Sequence, residues 1–126
     1  MTDITNNKPT ESELDILRIL WEKGSATVRE VHEILELNKE TGYTTTLKQM
    51  QIMHERSFVS RDTSSKVHIY KPAIKQEKVQ EQVLDRIINS VYSGSPAKLV
   101  MQALGNYSAS KEEMDLIRNF INKLKK

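Results

Sequence analysis

The stretch from Thr41 to Tyr70 reads TGYTTTLKQMQIMHERSFVSRDTSSKVHIY, and its hydrophobic period changes at Ser57. Before that point Leu47, Met50 and Met53 recur every three residues, with Tyr43 and His54 flanking the stripe. That is the pattern of one helical face, and it predicts a helix over Thr41 to Arg56. After Ser57, the runs Phe58-Val59-Ser60-Arg61 and Val67-His68-Ile69-Tyr70 are short and rich in β-branched or aromatic residues. The polar cluster Asp62-Thr63-Ser64-Ser65 lies between them and Pro72 follows them. Two such runs around a polar turn predict a β-hairpin. A helix leading straight into a hairpin is the outline of a recognition helix followed by a wing.

Upstream, Thr27-Val28-Arg29-Glu30 forms a capping box, in which the Thr hydroxyl and the Glu carboxylate each satisfy a free helix amide. Val31, Ile34 and Leu35 continue the apolar stripe, and this second helix is expected to end near Leu37, because Asn38 favours a turn. Thr10-Glu11-Ser12-Glu13 is another capping box; Leu14, Leu17 and Trp21, with Ile16 and Leu20, give the first helix its apolar face. Gly24 should stop that helix after Lys23. Three short helices with tight links have the form of a helix-turn-helix. Residues 1–9 read as a flexible N-terminal arm, and residues 10–72 as a winged-helix DNA-binding domain.

Downstream, Val79, Val83, Ile87 and Val91 recur every four residues, with Leu84 and Ile88 beside them. They predict a long helix ended by Gly94. Ser95-Pro96 opens a short helix carrying Leu99, Val100, Ala103 and Leu104, which Gly105-Asn106 should end. Ser110-Lys111-Glu112-Glu113 caps the last helix, with Leu116, Ile117, Phe120, Ile121 and Leu124 on its face. Three thin helices cannot bury so many apolar faces among themselves. Residues 73–126 therefore read as a helical dimerisation domain, pairing a homodimer through Val83, Ile87, Val91, Leu99, Ile117, Phe120 and Ile121. The expected fold is mainly α: three helices and a β-hairpin wing, then a three-helix dimerisation region. A twofold dimer would read a palindromic operator.

The formal charge of +2 over 126 residues conceals an uneven distribution. Residues 1–55 hold six Lys and Arg against ten Asp and Glu; residues 56–78 hold six against two. Positive charge is thus concentrated at the wing, as a local phosphate-contact surface requires. In the third helix, Thr44, Thr45, Lys48 and Gln49 can contact phosphates or base edges. Arg61 and Lys66 in the wing suit phosphates, and the electrostatic grip is expected from Arg56 through the wing. Double-stranded operator DNA is therefore the expected partner.

Cys is absent, which fits a reducing cytoplasm and removes thiolate chemistry. No apolar run is long enough to span a membrane, and none reads as a secretory leader, so the expected location is cytoplasmic without membrane insertion. His32, His54 and His68 lack metal-ligand spacing and read as partly exposed polar residues. There is no catalytic constellation, so no catalytic, cofactor-binding or metal residue is assigned, no cofactor is expected, and the chain does not read as an enzyme. The alternative function is a winged-helix protein-interaction module without DNA binding, since fold alone does not fix function.

Several of these words resemble the penicillinase-repressor (BlaI/MecI) family. They are Thr10-Glu11-Ser12-Glu13-Leu14 with Leu20-Trp21-Glu22, Ala26 to Val31, Tyr43-Thr44-Thr45-Thr46-Leu47, and Ser95-Pro96-Ala97-Lys98-Leu99-Val100. The resemblance implies a dimeric winged-helix repressor. It places operator contacts on Thr44, Thr45 and Lys48, and matches the wing's Arg and Tyr to Arg61 and Tyr70. It also implies a membrane sensor protease, or its downstream effector, as a partner that inactivates the repressor by cutting an Asn-Phe bond in the tail. The matching position here is Gln102-Ala103, which departs from that specificity. Two further departures lie late in the third helix: Ile52 replaces the family's Arg, and Ser57 replaces its Gly, which implies a different turn into the first wing strand. Copper-responsive members use C-terminal cysteines, which this chain lacks.

Overall fold

The structure, a computed structural model, describes residues 8–125. The elements run α1 (Glu11–Lys23), α2 (Val28–Leu35), α3 (Tyr43–Glu55), β1 (Val59–Asp62), β2 (Ile69–Pro72), α4 (Gln76–Val91), α5 (Pro96–Asn106) and α6 (Lys111–Leu124). The fold is mainly helical with one antiparallel hairpin. The chain divides into two compact units, up to Val83 and from Leu84 onward, with the division falling inside α4. Of the expected N-terminal arm, residues 1–7 lie outside the described residues.

All three capping boxes form. Thr10, Thr27 and Ser110 accept from the amides of Glu13, Glu30 and Glu113, whose carboxylates bond back to the cap amides. α1 ends at Lys23, where Gly24 takes φ 86°, a conformation that costs glycine little. The core of the first unit combines Ile16, Leu17 and Leu20 of α1, Val28 and Val31 of α2, and Met50 and Met53 of α3. Ala26, Phe58, Val59 and Tyr70 complete it. Trp21 sits at its edge, and its indole Nε1 donates to the Ile74 carbonyl at 2.9 Å.

Several element ends depart from expectation. α3 starts at Tyr43, two residues late, because Gly42 is its N-cap. α2 ends at Leu35 rather than Leu37, and Leu37 is 79% exposed in the following turn. α5 continues through Gly105 to Asn106. The hairpin strands begin later than their β-prone residues. β1 pairs with β2 in the register Val59↔Pro72, Ser60↔Lys71, Arg61↔Tyr70 and Asp62↔Ile69, leaving Val67 and His68 in the loop. Tyr70 fixes that register. Its ring is buried, and its backbone exchanges two hydrogen bonds with Ala26, at 2.8 and 2.9 Å.

Ser57 takes φ 65°, the left-handed conformation that glycine favours. The Phe58 amide donates to the Met53 carbonyl and the Ser57 amide to the His54 carbonyl, which is a Schellman motif. Phe58 and Met53 are both in the core. Serine thus adopts, at a conformational cost, a turn that glycine favours.

Candidate nucleic-acid interface

α1, α2, α5 and α6 start on Ser or Thr side chains that accept an amide; α3 starts at Gly42 with no side-chain cap. The first amides of α3 therefore lack the side-chain partner those four helices have, and such amides, with the helix dipole, favour an anion. Thr44, Thr45 and Lys48 are exposed behind this start, whereas Thr46 is buried. At about 100° per residue, Thr44, Lys48 and Gln51 share one face, and Gln49 is turned roughly 100° away from Lys48. Gln51 is accordingly exposed and Gln49 half-buried. The helix thus presents Gln51 beside Thr44 and Lys48, while Gln49, favoured by the sequence reading, lies one turn after Thr45.

A groove of about 310 Å³ runs between the start of α2, α3 and the hairpin. Thr27, Val28 and Arg29 line it from α2, Tyr43, Leu47 and Gln51 from α3, and Arg61, Lys66, Val67, His68 and Tyr70 from the hairpin. Three permanent cations and a histidine meet there with no carboxylate among the lining residues, in a unit whose helices are otherwise acid-rich. The Arg29 guanidinium lies 5.1 Å from the centroid of the Tyr43 ring. The Nε of Arg61 is buried without a hydrogen-bond partner, and a buried donor left unpaired costs roughly 1–3 kcal/mol. Cations beside apolar Leu47 and Val67 match the chemistry of a sugar–phosphate chain. Among the expected contacts the groove gathers Arg61 and Lys66. It adds Arg29 and Gln51, which sequence reasoning left out, because only the fold brings α2 beside the wing.

Two expected contributors are otherwise engaged. Arg56 holds Glu13 through Nη1, at 2.9 and 3.0 Å to the two carboxylate oxygens, and donates from Nη2 to the Lys8 carbonyl at 3.2 Å. Its guanidinium also lies over the Phe58 ring at 4.6 Å. This partly buried ion pair ties α1 to the end of α3, so the basic surface starts at Arg61. Tyr70, matched above to a wing contact, is 1% exposed and belongs to the core. Ile52, where the family carries Arg, is 40% exposed on α3.

In the second unit, α5 and α6 contain no buried residue. Leu99 and Ile117 are half-buried, while Phe120 and Ile121 are 61% and 47% exposed. On α4, Val83 and Ile87 are half-buried and Val91 is exposed. Leu104, Met114, Ile117 and Ile121 line a predominantly apolar groove between α5 and α6. Gln102 and Ala103 are exposed but lie inside the α5 helix. No helix of the described residues is long and apolar enough to cross a membrane.

Against known proteins, the family model described as penicillinase repressor matches residues 9–123. The methicillin resistance regulatory protein MecI of Staphylococcus aureus strain N315 is 22% identical over 114 residues, covering 90% of this chain and 93% of the relative. The penicillinase repressor of Staphylococcus aureus is 23% identical over 123 residues, covering 95% and 98%. That of Bacillus licheniformis is 23% identical over 108 residues, covering 84% and 83%.

Proposed function

The chain belongs to the penicillinase-repressor family, a family of transcriptional regulators rather than enzymes, and we propose that it represses transcription as a cytoplasmic homodimer seated on palindromic operator DNA. The observation that carries the DNA role is the carboxylate-free basic groove beside the exposed, uncapped start of α3. In this reading Thr44, Thr45, Lys48 and Gln51 face the major groove, with Gln49 at its flank. Arg61, Lys66 and Arg29 meet phosphates. The unburied apolar faces of α5 and α6, with Val83, Ile87 and Val91 of α4, pair two copies.

Derepression acts on this dimer or its tail. If a membrane sensor protease or its downstream effector cuts at Gln102-Ala103, α5 must first unwind locally, because proteases bind extended chain. Cleavage there would remove α6 and with it the exposed apolar residues Leu116, Phe120, Ile121 and Leu124.

The test is binding to a fragment of the chain's own upstream DNA across a salt series. Each phosphate neutralised contributes about −0.9 to the slope of log affinity against log salt, so a steep negative slope and a protected palindrome are expected. Lys48→Glu with Arg61→Glu should abolish binding while leaving the circular dichroism spectrum intact. A flat salt response without a footprint would sink the DNA reading in favour of a protein-interaction module.

A further inference from the structure

Burial fixes the inner side of α3. Thr46, Met50 and Met53 are buried. His32, expected to be partly exposed, is 7% exposed, with its Nδ1 3.1 Å from the Thr46 hydroxyl. This seating sets which side chains of α3 look outward. At about 100° per residue, Ile52 stands one turn beyond Lys48 and, within about 20°, two turns beyond Thr45. It is 40% exposed. The outer face therefore carries Thr44, Thr45, Lys48, Ile52 and, last, Glu55, all exposed. Of these five only Ile52 is a large aliphatic residue.

A lone apolar residue on a surface is ordinary; the place of this one gives it meaning. Lys48 is the only Lys or Arg within α3. Arg56, just past its end, holds Glu13 and the Lys8 carbonyl. Beyond Lys48, α3 itself thus offers a phosphate no Lys or Arg, only apolar Ile52 and the carboxylate of Glu55, which repels it. Base edges suit both residues. Thymine alone presents a methyl group in the major groove, and an aliphatic side chain can cover it without stranding a polar group; a carboxylate can accept from the cytosine amino group. The later half of the outer face is therefore fitted to read bases, whereas Arg61 and Lys66 are fitted to hold phosphates. Thr45 and Ile52 are about 10.5 Å apart along the helix axis, roughly three base-pair rises of 3.4 Å, so one stretch of major groove can hold both.

We propose that Ile52 is a specificity-determining residue that packs on the 5-methyl group of a thymine in each operator half-site. This rests on the DNA reading above. The contact removes from water both the methyl group and the side chain that the fold leaves exposed. It selects thymine over cytosine, which lacks the methyl group, at a position where neither hydrogen bonding nor charge from α3 does so.

The experiment is a double-mutant cycle between protein and DNA. Affinities of the full chain and of Ile52→Ala are measured for the upstream fragment made with thymine and for the same fragment made with uracil, which pairs identically but has no methyl group. Ile52→Ala should stay folded, since the site is exposed and alanine is the best helix former, and circular dichroism checks it. On thymine DNA the substitution should weaken binding about fourfold per half-site, the scale of one buried methylene, and so roughly fifteenfold for a dimer on two half-sites. On uracil DNA its cost should fall below about threefold. Replacing thymines singly across the protected palindrome should trace the coupling to one thymine, or two neighbours, in each half-site. An equal cost on both DNAs, no cost on thymine DNA, or coupling spread evenly over every thymine would overturn the inference while leaving the DNA reading standing. Wild type that binds neither fragment defeats the DNA reading, and this inference with it.

Discussion

The unit up to Val83 and the unit from Leu84 open helices with the same device and then diverge. Thr27 with Glu30, and Ser110 with Glu113, are equivalent capping boxes. Yet the first unit closes a core in which Ile16, Leu17, Leu20, Val31, Met50 and Met53 are fully buried, while Met101, Tyr107, Leu116, Phe120 and Leu124 of the second are each more than 60% exposed. Local hydrogen bonding can start a helix in either setting. Only tertiary packing makes it stable, and a single copy of the second unit does not supply that packing. Monomeric proteins rarely leave so much contiguous apolar surface in water.

The sharpest way to break this contrast is a matched pair of truncations. Leu17→Ala should cost about 2–5 kcal/mol of unfolding free energy, the range for large-to-small changes in a closed core. Leu116→Ala, in dilute protein, should cost less than about 1 kcal/mol, as exposed substitutions do. Urea titrations followed by far-ultraviolet circular dichroism check both. Equal costs would mean that the second unit has a closed core of its own. Next in size, Phe120→Glu should weaken self-association by about 2–4 kcal/mol, the scale of an interface hot spot. On the proposed pairing, sedimentation should show wild type as a dimer and this variant as a monomer, and the variant's thermal midpoint should not depend on protein concentration. The first unit's response to Leu17→Ala should be unchanged in that background.

What the sequence disclosed follows the same division between local and distant causes. The capping boxes and Gly24 span a few residues each, and they appear where expected. Of the three buried polar residues among those described, Glu13, His32 and Thr46, the first two were legible in principle. Glu13 precedes Ile16, Leu17 and Leu20 by three, four and seven residues, and His32 sits among Val28, Val31 and Leu35, so each lies on a core stripe. Polar identity masked position. The partners of those groups were not legible. Arg56 reaches Glu13 across 43 residues, and nothing local encodes that distance. The hairpin register escaped for the same reason. Val67 and His68 have strand chemistry, but Tyr70 is fixed by its burial and by Ala26, and that outweighs local propensity. In the tail, the α4, α5 and α6 patterns gave the helices well, because each pattern is local.

Backbone strain offers a smaller test that ignores the core. Ser57 and Ser93, one in each unit, have φ of 65° and 54°. A non-glycine residue held there costs roughly 1–3 kcal/mol. Ser57→Gly should therefore raise stability by about 1 kcal/mol net of glycine's greater freedom when unfolded, and Ser93→Gly should give a similar gain in its own unit. Similar gains would show that turn strain, like capping, is indifferent to whether a unit closes its core. A gain at Ser57 alone would show that the second unit is too loosely held for strain to register.

The smallest expected effect concerns the caps themselves, where pH can separate two boxes that look alike. The Thr27 amide donates to Glu30 at 2.8 Å, whereas the Ser110 amide reaches Glu113 only at 3.4 Å. The bond from the Thr27 amide holds the Glu30 carboxyl below the ordinary glutamate range, outweighing the opposing effect of desolvation, and Lys23 adds attraction. A carboxyl depressed in the folded state contributes stability that is complete above its unfolded value, roughly 4.3. That contribution fades as pH falls through the lower folded value. Glu30→Gln cannot follow this course, because the amide carries no charge at any pH. The stability difference between wild type and Glu30→Gln should therefore be largest near pH 6 and shrink toward pH 3. Glu113→Gln removes a longer bond and should change stability less at neutral pH. A difference for Glu30→Gln that stays flat across the acid range would mean that the charge of the carboxylate adds nothing to the cap. The box would then stabilise α2 by geometry alone, as any well-placed acceptor could.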